Sequence, residues 1–184
     1  MMRFLDIILS LVGILIGTPL IIIIVLLCFS ETREPIFRQV RIGKNEVPFT
    51  IFKFRTMSEN TISAPTHLVD VKSITGLGQF LRKHKLDEVP QLWNVLLGDM
   101  SLVGARPCLP TQEELITQRK IRGVFSEKPG ITGLAQLNGV DMRDPTRLAI
   151  LDQEMLSGLN LGGYFKYIMM TVYRVMSVKP FTSL

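Results

Sequence analysis

Residues 7–29 read IILSLVGILIGTPLIIIIVLLCF, twenty-three residues without a charge, and the architecture turns on how that run is disposed. At 1.5 Å per residue an unbroken helix of this length reaches ~35 Å, against ~30 Å of hydrocarbon, so length alone admits a crossing. Pro19 falls near the middle, after Thr18. Its missing N–H and its ring clash with the preceding turn kink or break a helix. Each half then covers only ~17 Å, too little to cross. Arg3 precedes the run, and Arg33, Arg38, Arg41 and Lys44 follow it. Because Arg and Lys near a segment end mark the cytoplasmic side, cations at both ends suit a segment that enters and returns. The residues favour a re-entrant helix-break-helix hairpin broken at Thr18-Pro19, with a single crossing as the alternative. A cleaved signal peptide fits poorly: the run is long, Asp6 lies in its head region, and no small-residue cleavage site follows.

Bulk properties agree with membrane contact. The 184 residues are 47% apolar and 20% charged, with a mean hydropathy of +0.30, where roughly 25% charged is usual. Length suits one domain plus an extension, divided as a membrane segment over residues 1–30 and a domain over residues 31–184. The net charge of +5 favours an anionic partner. No zinc pattern, aromatic RNA-binding run or dense basic helix accompanies it, which argues against nucleic acid. Cys28 and Cys108 have no spacing that suggests a metal site or disulfide.

Patterning beyond the run predicts a mostly helical α+β domain. VPFTIFKF (47–54) reads as a strand, and SENTISAPTH (58–67) as a loop. Helices are expected over GLGQFLRKHKL (76–86), over VPQLWNVLLG (89–98) with Gly98 as the stop, and over PTQEELITQRK (110–120) with Thr111 and Glu114 as a capping box. DPTRLAILDQEML (144–156) starts another, capped by Asp144 with Pro145 first. PGITGLAQLNG (129–139) is turn-rich and reads as a loop lining a site. YFKYIMMTVYRVM (164–176) suits either an interfacial amphipathic helix, with Lys166, Tyr173 and Arg174 at its polar edge, or a core-facing one. RKHK (82–85) and the patch of Arg119, Lys120 and Arg122 are further candidates for membrane contact. Trp93 is expected to pack its helix on the core, and His67 and His84 to lie on the surface.

The chemistry concentrates in KLDEVPQLWNVLLGDMSLVGARP (85–107). Pro90 is tolerated only in a first helical turn, so Asp87 and Glu88 sit at or just before a helix start. Asp87 could simply cap that helix. The surroundings ask for more, because Arg82, Arg106, Lys53 and Arg55 are all placed to approach. Four cations suit a pyrophosphate, whose oxygens pair with guanidinium forks. Carboxylates beside phosphate repel it unless they hold a divalent metal or attack phosphorus themselves.

KFRTM (53–57), LRKHKLDEVPQLWNVLLGDMSLVGARP (81–107) and PGITGLAQLNG together resemble the bacterial sugar transferases, the small monotopic phosphoglycosyl transferases that start glycan assembly on a polyprenyl carrier. The resemblance runs from the apolar segment to about Asp152. It implies an enzyme that moves a sugar-1-phosphate from a UDP-sugar to polyprenol phosphate, releasing UMP. It implies Asp87 as nucleophile, forming a phosphosugar-aspartate intermediate, and Glu88 as its partner, the two also holding Mg²⁺. Lys53, Arg82 and Arg106 match basic residues of that site; Arg55, Gln136 and Asp152 join them as candidate phosphate or nucleotide contacts. A re-entrant segment inserted from the cytoplasmic face of the bacterial inner membrane is also implied, with Thr18-Pro19 at the break and interfacial helices beside it. An acetamido hexose is the expected donor sugar, and the product would feed O-antigen, lipopolysaccharide, exopolysaccharide or a related glycan. A homodimer through the helical domain stays open.

The pattern departs in places. The usual GPRP is GARP, with Ala105 in place of a proline, and Leu134 replaces a tryptophan. An acid usual near the C-terminal Lys166 is missing. None removes the dyad or its cations. The structural rival, a non-catalytic membrane scaffold of a glycan assembly system, would make Asp87 dispensable.

Overall fold

The computed structural model describes residues 2–57 and 73–177. The expected loop at 58–67, with His67, lies outside them. Helix α1 (Met2–Thr32) leads into an antiparallel hairpin, β1 (Ile36–Ile42) and β2 (Pro48–Phe54). Then come α2 (Gly76–Lys83), a 3-10 turn (Leu86–Glu88), α3 (Gln91–Leu97) and β3 (Ser101–Val103). The chain continues as α4 (Glu113–Ile121), β4 (Gly130–Thr132), α5 (Leu134–Leu137), α6 (Pro145–Ser157) and α7 (Leu161–Met176). The result is one N-terminal apolar helix plus a mostly helical domain with minor strand content.

Most expected elements appear near their predicted places. Gly98 ends α3 in the left-handed region, at φ 97°, a conformation that a residue with a Cβ adopts at a cost. Asp144 caps α6, accepting from the Arg147 N–H at 3.0 Å. Two expectations need correction. The capping box at Thr111 and Glu114 does not form: Gln112 precedes α4 without a side-chain cap, and its Oε1 accepts from Leu109 N instead. The 129–139 stretch is more than a loop. Its first residues form β4, which pairs in parallel with β3, and α5 follows.

Helix α1 is the one described helix long and apolar enough to cross a membrane by length and composition. It runs through Pro19 without interruption, so the expected break is not a gap between two helices. One proline removes one backbone donor and leaves the flanking turns bonded. Thr18 Oγ1 donates back to the Ile14 carbonyl at 2.7 Å, a bond associated with helix bending.

Both ends of α1 are fastened to the same domain. Near its start Arg3 donates to the Val95 carbonyl and, at 2.8 Å, to that of Leu96, capping the C-terminus of α3 where a cation is favoured. Buried Asp6 accepts from Ser101 Oγ (3.0 Å), Leu102 N (2.9 Å) and the Tyr164 hydroxyl (2.7 Å). At the far end Ile24 and Cys28 pack with Phe54 and Leu81, and Thr32 is buried. Between Ser10 and Ile24 no residue of α1 is buried, and Leu15 and Ile16 are each 76% exposed.

Helix α7 combines its two expected readings. Tyr164 is fully buried against α1 and α6, with Tyr167 and Ile168 partly so. Phe165, Met169, Met170, Val172, Tyr173 and Met176 are exposed.

Asp6 offers a stability test. Asp6→Ala strands three donors, two of them on the domain's backbone and core, and is expected to cost ~3 kcal/mol. In a chain of this size that is a fall of ~6–12 °C in thermal midpoint. Ser10→Ala removes a buried hydroxyl that has no partner and should leave the midpoint unchanged or higher. Thermal unfolding of the full chain in detergent checks both.

Candidate active site

The acidic pair is set by local backbone. Lys85, left-handed at φ 56°, turns the chain out of α2 into the 3-10 turn that carries Asp87 and Glu88. Pro90 flanks α3 without a side-chain cap, so Asp87 is not the capping residue that spacing alone allowed. The approach of α2 depends on Gly78, where a Cβ would sit 2.1 Å from the Thr56 carbonyl oxygen. That close contact brings Thr56 to Arg82, whose Nε donates to Thr56 Oγ1 at 2.8 Å.

The two carboxylates have different surroundings. Buried Glu88 accepts at Oε1 from Arg106 Nη2 (2.5 Å) and Lys53 Nζ (3.3 Å). Burial alone would raise its pKa, but Arg106, Lys53 and Lys85 together hold it far below the usual carboxylate range. Because the folded value is depressed, Glu88 contributes stability at neutral pH. That contribution fades as the pH falls below the ordinary carboxylate range. Asp87 is partly exposed and makes no hydrogen bond among the described residues. Burial and the Glu88 charge raise its pKa, against the opposing pull of Lys53, Arg106 and Arg82.

Among the described residues five cations act on this pair: Arg41, Lys53, Arg82, Lys85 and Arg106. Set against two carboxylates, they leave an excess of positive charge that suits a phosphorylated ligand. Burial lowers the pKa of Lys53 and Lys85 and brings Arg41 down to about 10. Glu88 raises that of Arg106.

Arg106 is held from behind by Arg119 and Arg41, which the sequence did not assign to the site, and through Arg119 by Asp152, which it did. Arg119, fully buried, donates Nη1 to the Arg106 carbonyl at 2.7 Å. Its Nε and Nη2 both reach Asp152 Oδ2, at 3.0 and 2.7 Å. Arg41 donates to the neighbouring Pro107 carbonyl at 3.2 Å. Two buried guanidiniums therefore brace the GARP loop.

The expected set thus divides. Lys53, Arg82, Arg106, Asp87 and Glu88 converge. Asp152 is wholly buried against Arg119, so it bears on a ligand only through Arg119 and Arg106. Arg119 itself is no part of a surface basic patch. Arg55 turns away to Glu34, with Nη2–Oε2 at 2.5 Å, and stacks over Phe37; it is not among the charges acting on the dyad. Gln136 Nε2 donates to the Gly104 carbonyl at 3.3 Å, while its Oε1 is buried without a partner. Arg174, read as a polar edge of α7, donates to the Leu137 and Gln136 carbonyls and lies near enough to Lys85 to lower its pKa. Trp93 is 54% exposed, not packed in the core. Lys85 was detectable as the neighbour of the acidic pair. Arg41, Arg119 and Arg174 carry no local signal beyond their charge.

Among the described residues no three His, Cys, Asp or Glu side chains converge as a metal cluster. Two adjacent carboxylates suffice only for an ion that takes the rest of its shell from phosphate and water, as Mg²⁺ does.

The bacterial sugar transferase profile matches residues 1–178, and the chain belongs to that family. Galactosyl transferase CpsE of Streptococcus agalactiae is 34% identical over 92% of this chain, which covers 41% of that protein. UDP-glucose:undecaprenyl-phosphate glucose-1-phosphate transferase of Klebsiella pneumoniae is 40% identical over 74% of this chain, covering 30% of that protein. The exopolysaccharide production protein PSS of Rhizobium leguminosarum is 36% identical over 91% of this chain and 88% of its own length. The chain therefore spans under half the length of the first two and most of the third.

The brace behind Arg106 can be tested. Asp152→Asn leaves the Arg119 charge buried and is expected to cost ~3–5 kcal/mol. Asp152→Glu should recover part of that loss. The same order should appear in affinity for inorganic pyrophosphate, measured by calorimetry, because Arg106 is placed through Arg119.

Proposed function

We propose that the chain is a phosphoglycosyl transferase that moves a sugar-1-phosphate from a UDP-sugar to a polyprenol phosphate, with release of UMP. The observation that carries this reading is the asymmetry of the acidic pair. Glu88 is neutralised by two cations, whereas the Asp87 side chain, without a hydrogen bond among the described residues, stands in a field of positive charge.

The chemistry follows from that arrangement. Lys53, Arg82 and Arg106 take the diphosphate oxygens and orient the β-phosphorus towards Asp87. An Asp87 oxygen attacks that phosphorus, and the bond to the bridging oxygen breaks. The electron pair leaves with UMP, and the sugar phosphate stays on the carboxylate. An oxygen of the polyprenol phosphate then attacks the same phosphorus. The Asp87–phosphorus bond breaks, returning the carboxylate and giving polyprenyl diphosphate sugar. Glu88 keeps Arg106 and Lys53 in place through both steps. Mg²⁺, held by the dyad together with diphosphate oxygens, would draw charge from the leaving UMP when bound. No general base is needed at the first step, since a carboxylate is the nucleophile.

In this reading α1 is a re-entrant membrane segment and residues 31–184 form a catalytic domain on the cytoplasmic face of the bacterial inner membrane. The support is that both ends of α1 are fastened to one domain while the apolar turns around Pro19 face outward. Flanking Arg and Lys at both ends favour the cytoplasmic side, and the exposed apolar face of α7 would rest at the interface. The printed names of the relatives, with undecaprenyl phosphate and UDP-glucose among them, support the substrate classes, and an N-acetylated hexose remains our choice of donor sugar.

Incubating purified protein with Mg²⁺ and a panel of UDP-sugars, without acceptor, should add one sugar phosphate to the intact mass of the wild type and none to Asp87→Asn. Because the Asp87 pKa is raised, keeping it ionised costs folding stability at neutral pH, so Asp87→Asn should unfold no earlier than wild type. Full turnover by Asp87→Asn would overturn the covalent mechanism.

A further inference from the structure

The inward face of α7 carries two polar side chains whose bonds lead towards the GARP loop. Thr171 and Arg174, both partly buried, lie on the same side of the helix as Tyr164 and Tyr167. The Thr171 hydroxyl donates to the Tyr167 carbonyl at 2.9 Å, which takes its single proton. Its oxygen therefore accepts from Thr132 Oγ1 in β4, 2.5 Å away. Arg174 Nη1 donates to the Leu137 carbonyl and, at 3.4 Å, to that of Gln136, at the end of α5. Both contacts converge on one residue. The Thr132 carbonyl accepts from the Gly104 N–H at 2.8 Å, and Gln136 Nε2 donates to the Gly104 carbonyl at 3.3 Å. The two backbone polar groups of Gly104 are thus held by the two residues that α7 holds.

We propose that Thr171 and Arg174 are positioning residues for Arg106: through Thr132 and Gln136 they fix Gly104, and with it the direction in which the Arg106 side chain leaves the loop. Gly104 opens GARP, two residues before Arg106, whose guanidinium reaches Glu88. Arg119 and Arg41 act further along, at the Arg106 and Pro107 carbonyls. Helix α7 therefore holds the entry of the loop, and those two guanidiniums hold its exit. The inference rests on the proposed reaction for the task of Arg106 and adds the residues that aim it. A guanidinium that must meet both Glu88 and a phosphate oxygen has little tolerance, since a misplacement of ~1 Å costs most of a charged contact. Arg174 also lies near enough to Lys85 to lower its pKa, so its removal changes charge as well as position. Thr171 carries no charge and acts through geometry alone.

The test measures affinity for inorganic pyrophosphate by calorimetry on the detergent-solubilised full chain, with each variant made alone and beside Arg106→Gln. Thr171→Val keeps the branched shape but removes the oxygen that Thr132 meets, and Arg174→Gln removes the guanidinium. Each is expected to weaken binding about fivefold alone and to add nothing beside Arg106→Gln, as coupled residues do. Thr171→Ser and Arg174→Lys should recover part of the loss. A merely structural role would lower the thermal midpoint and cost the same affinity in both backgrounds, and that result would overturn the proposal. Nitrogen-15 NMR gives a reading that needs no phosphate. The Arg106 side-chain N–H signal, assigned by its loss in Arg106→Gln, is protected from exchange while bonded to Glu88. Thr171→Val should speed that exchange about fivefold, and unchanged exchange would also sink the positioning role. Faster exchange in a chain whose wild type binds no pyrophosphate would keep the positioning and count against the phosphate chemistry of the proposed reaction. Pyrophosphate binding at wild-type strength in both variants would sink the positioning and leave that reaction standing.

Discussion

The ion cluster of Glu88 with Arg106 and Lys53 is the interaction on which the candidate site depends. A buried carboxylate is costly unless its charge is met, and here two cations meet it at a single oxygen. Arg106 comes from the loop after β3, Lys53 from β2, and Glu88 from the turn between α2 and α3. One buried charge thus pins three separate parts of the chain together. It also explains why two adjacent acids can have opposite characters. Glu88 is kept ionised by its partners, while Asp87 bears the repulsion of that charge and forms no bond of its own among the described residues.

The brace behind this cluster extends into the core. Asp152 neutralises Arg119, which in turn grips the carbonyl of Arg106. Arg41 grips the next carbonyl along. Buried ion pairs are weak evidence of stability in themselves, and their value here is positional: they fix the loop whose Arg106 side chain meets Glu88. Helix α1 is joined to the same frame, since Asp6 binds the backbone of β3 and the hydroxyl of α7. A displacement of α1 would therefore reach the strand that precedes Arg106.

Much of this was legible in the sequence because the signals are local. A strand of alternating aromatics placed Lys53, a proline placed the acidic pair at a helix start, and Gly98 marked the end of α3. The failures were of contact across the fold. Arg119 looks like one of three surface cations until α6 brings Asp152 against it. Arg55 looks like a neighbour of Lys53, yet it lies just past the end of β2 and pairs with Glu34. The short parallel pair of β3 and β4 joins residues that are far apart in the chain and too few to show a period. Pro19 was read as a break, and the helix instead absorbs it.

The surroundings shift the two adjacent carboxylates in opposite directions, Asp87 up and Glu88 down. Carbon-13 NMR of the Asp87 and Glu88 carboxyl groups, titrated from neutral to acid pH in the detergent-solubilised full chain, tests it most directly. Asp87 is expected to take up its proton first, above the ordinary aspartate range, while Glu88 is still ionised when exposed carboxylates have been neutralised. Protonation of Glu88 before Asp87, or two ordinary and independent titrations, would contradict it.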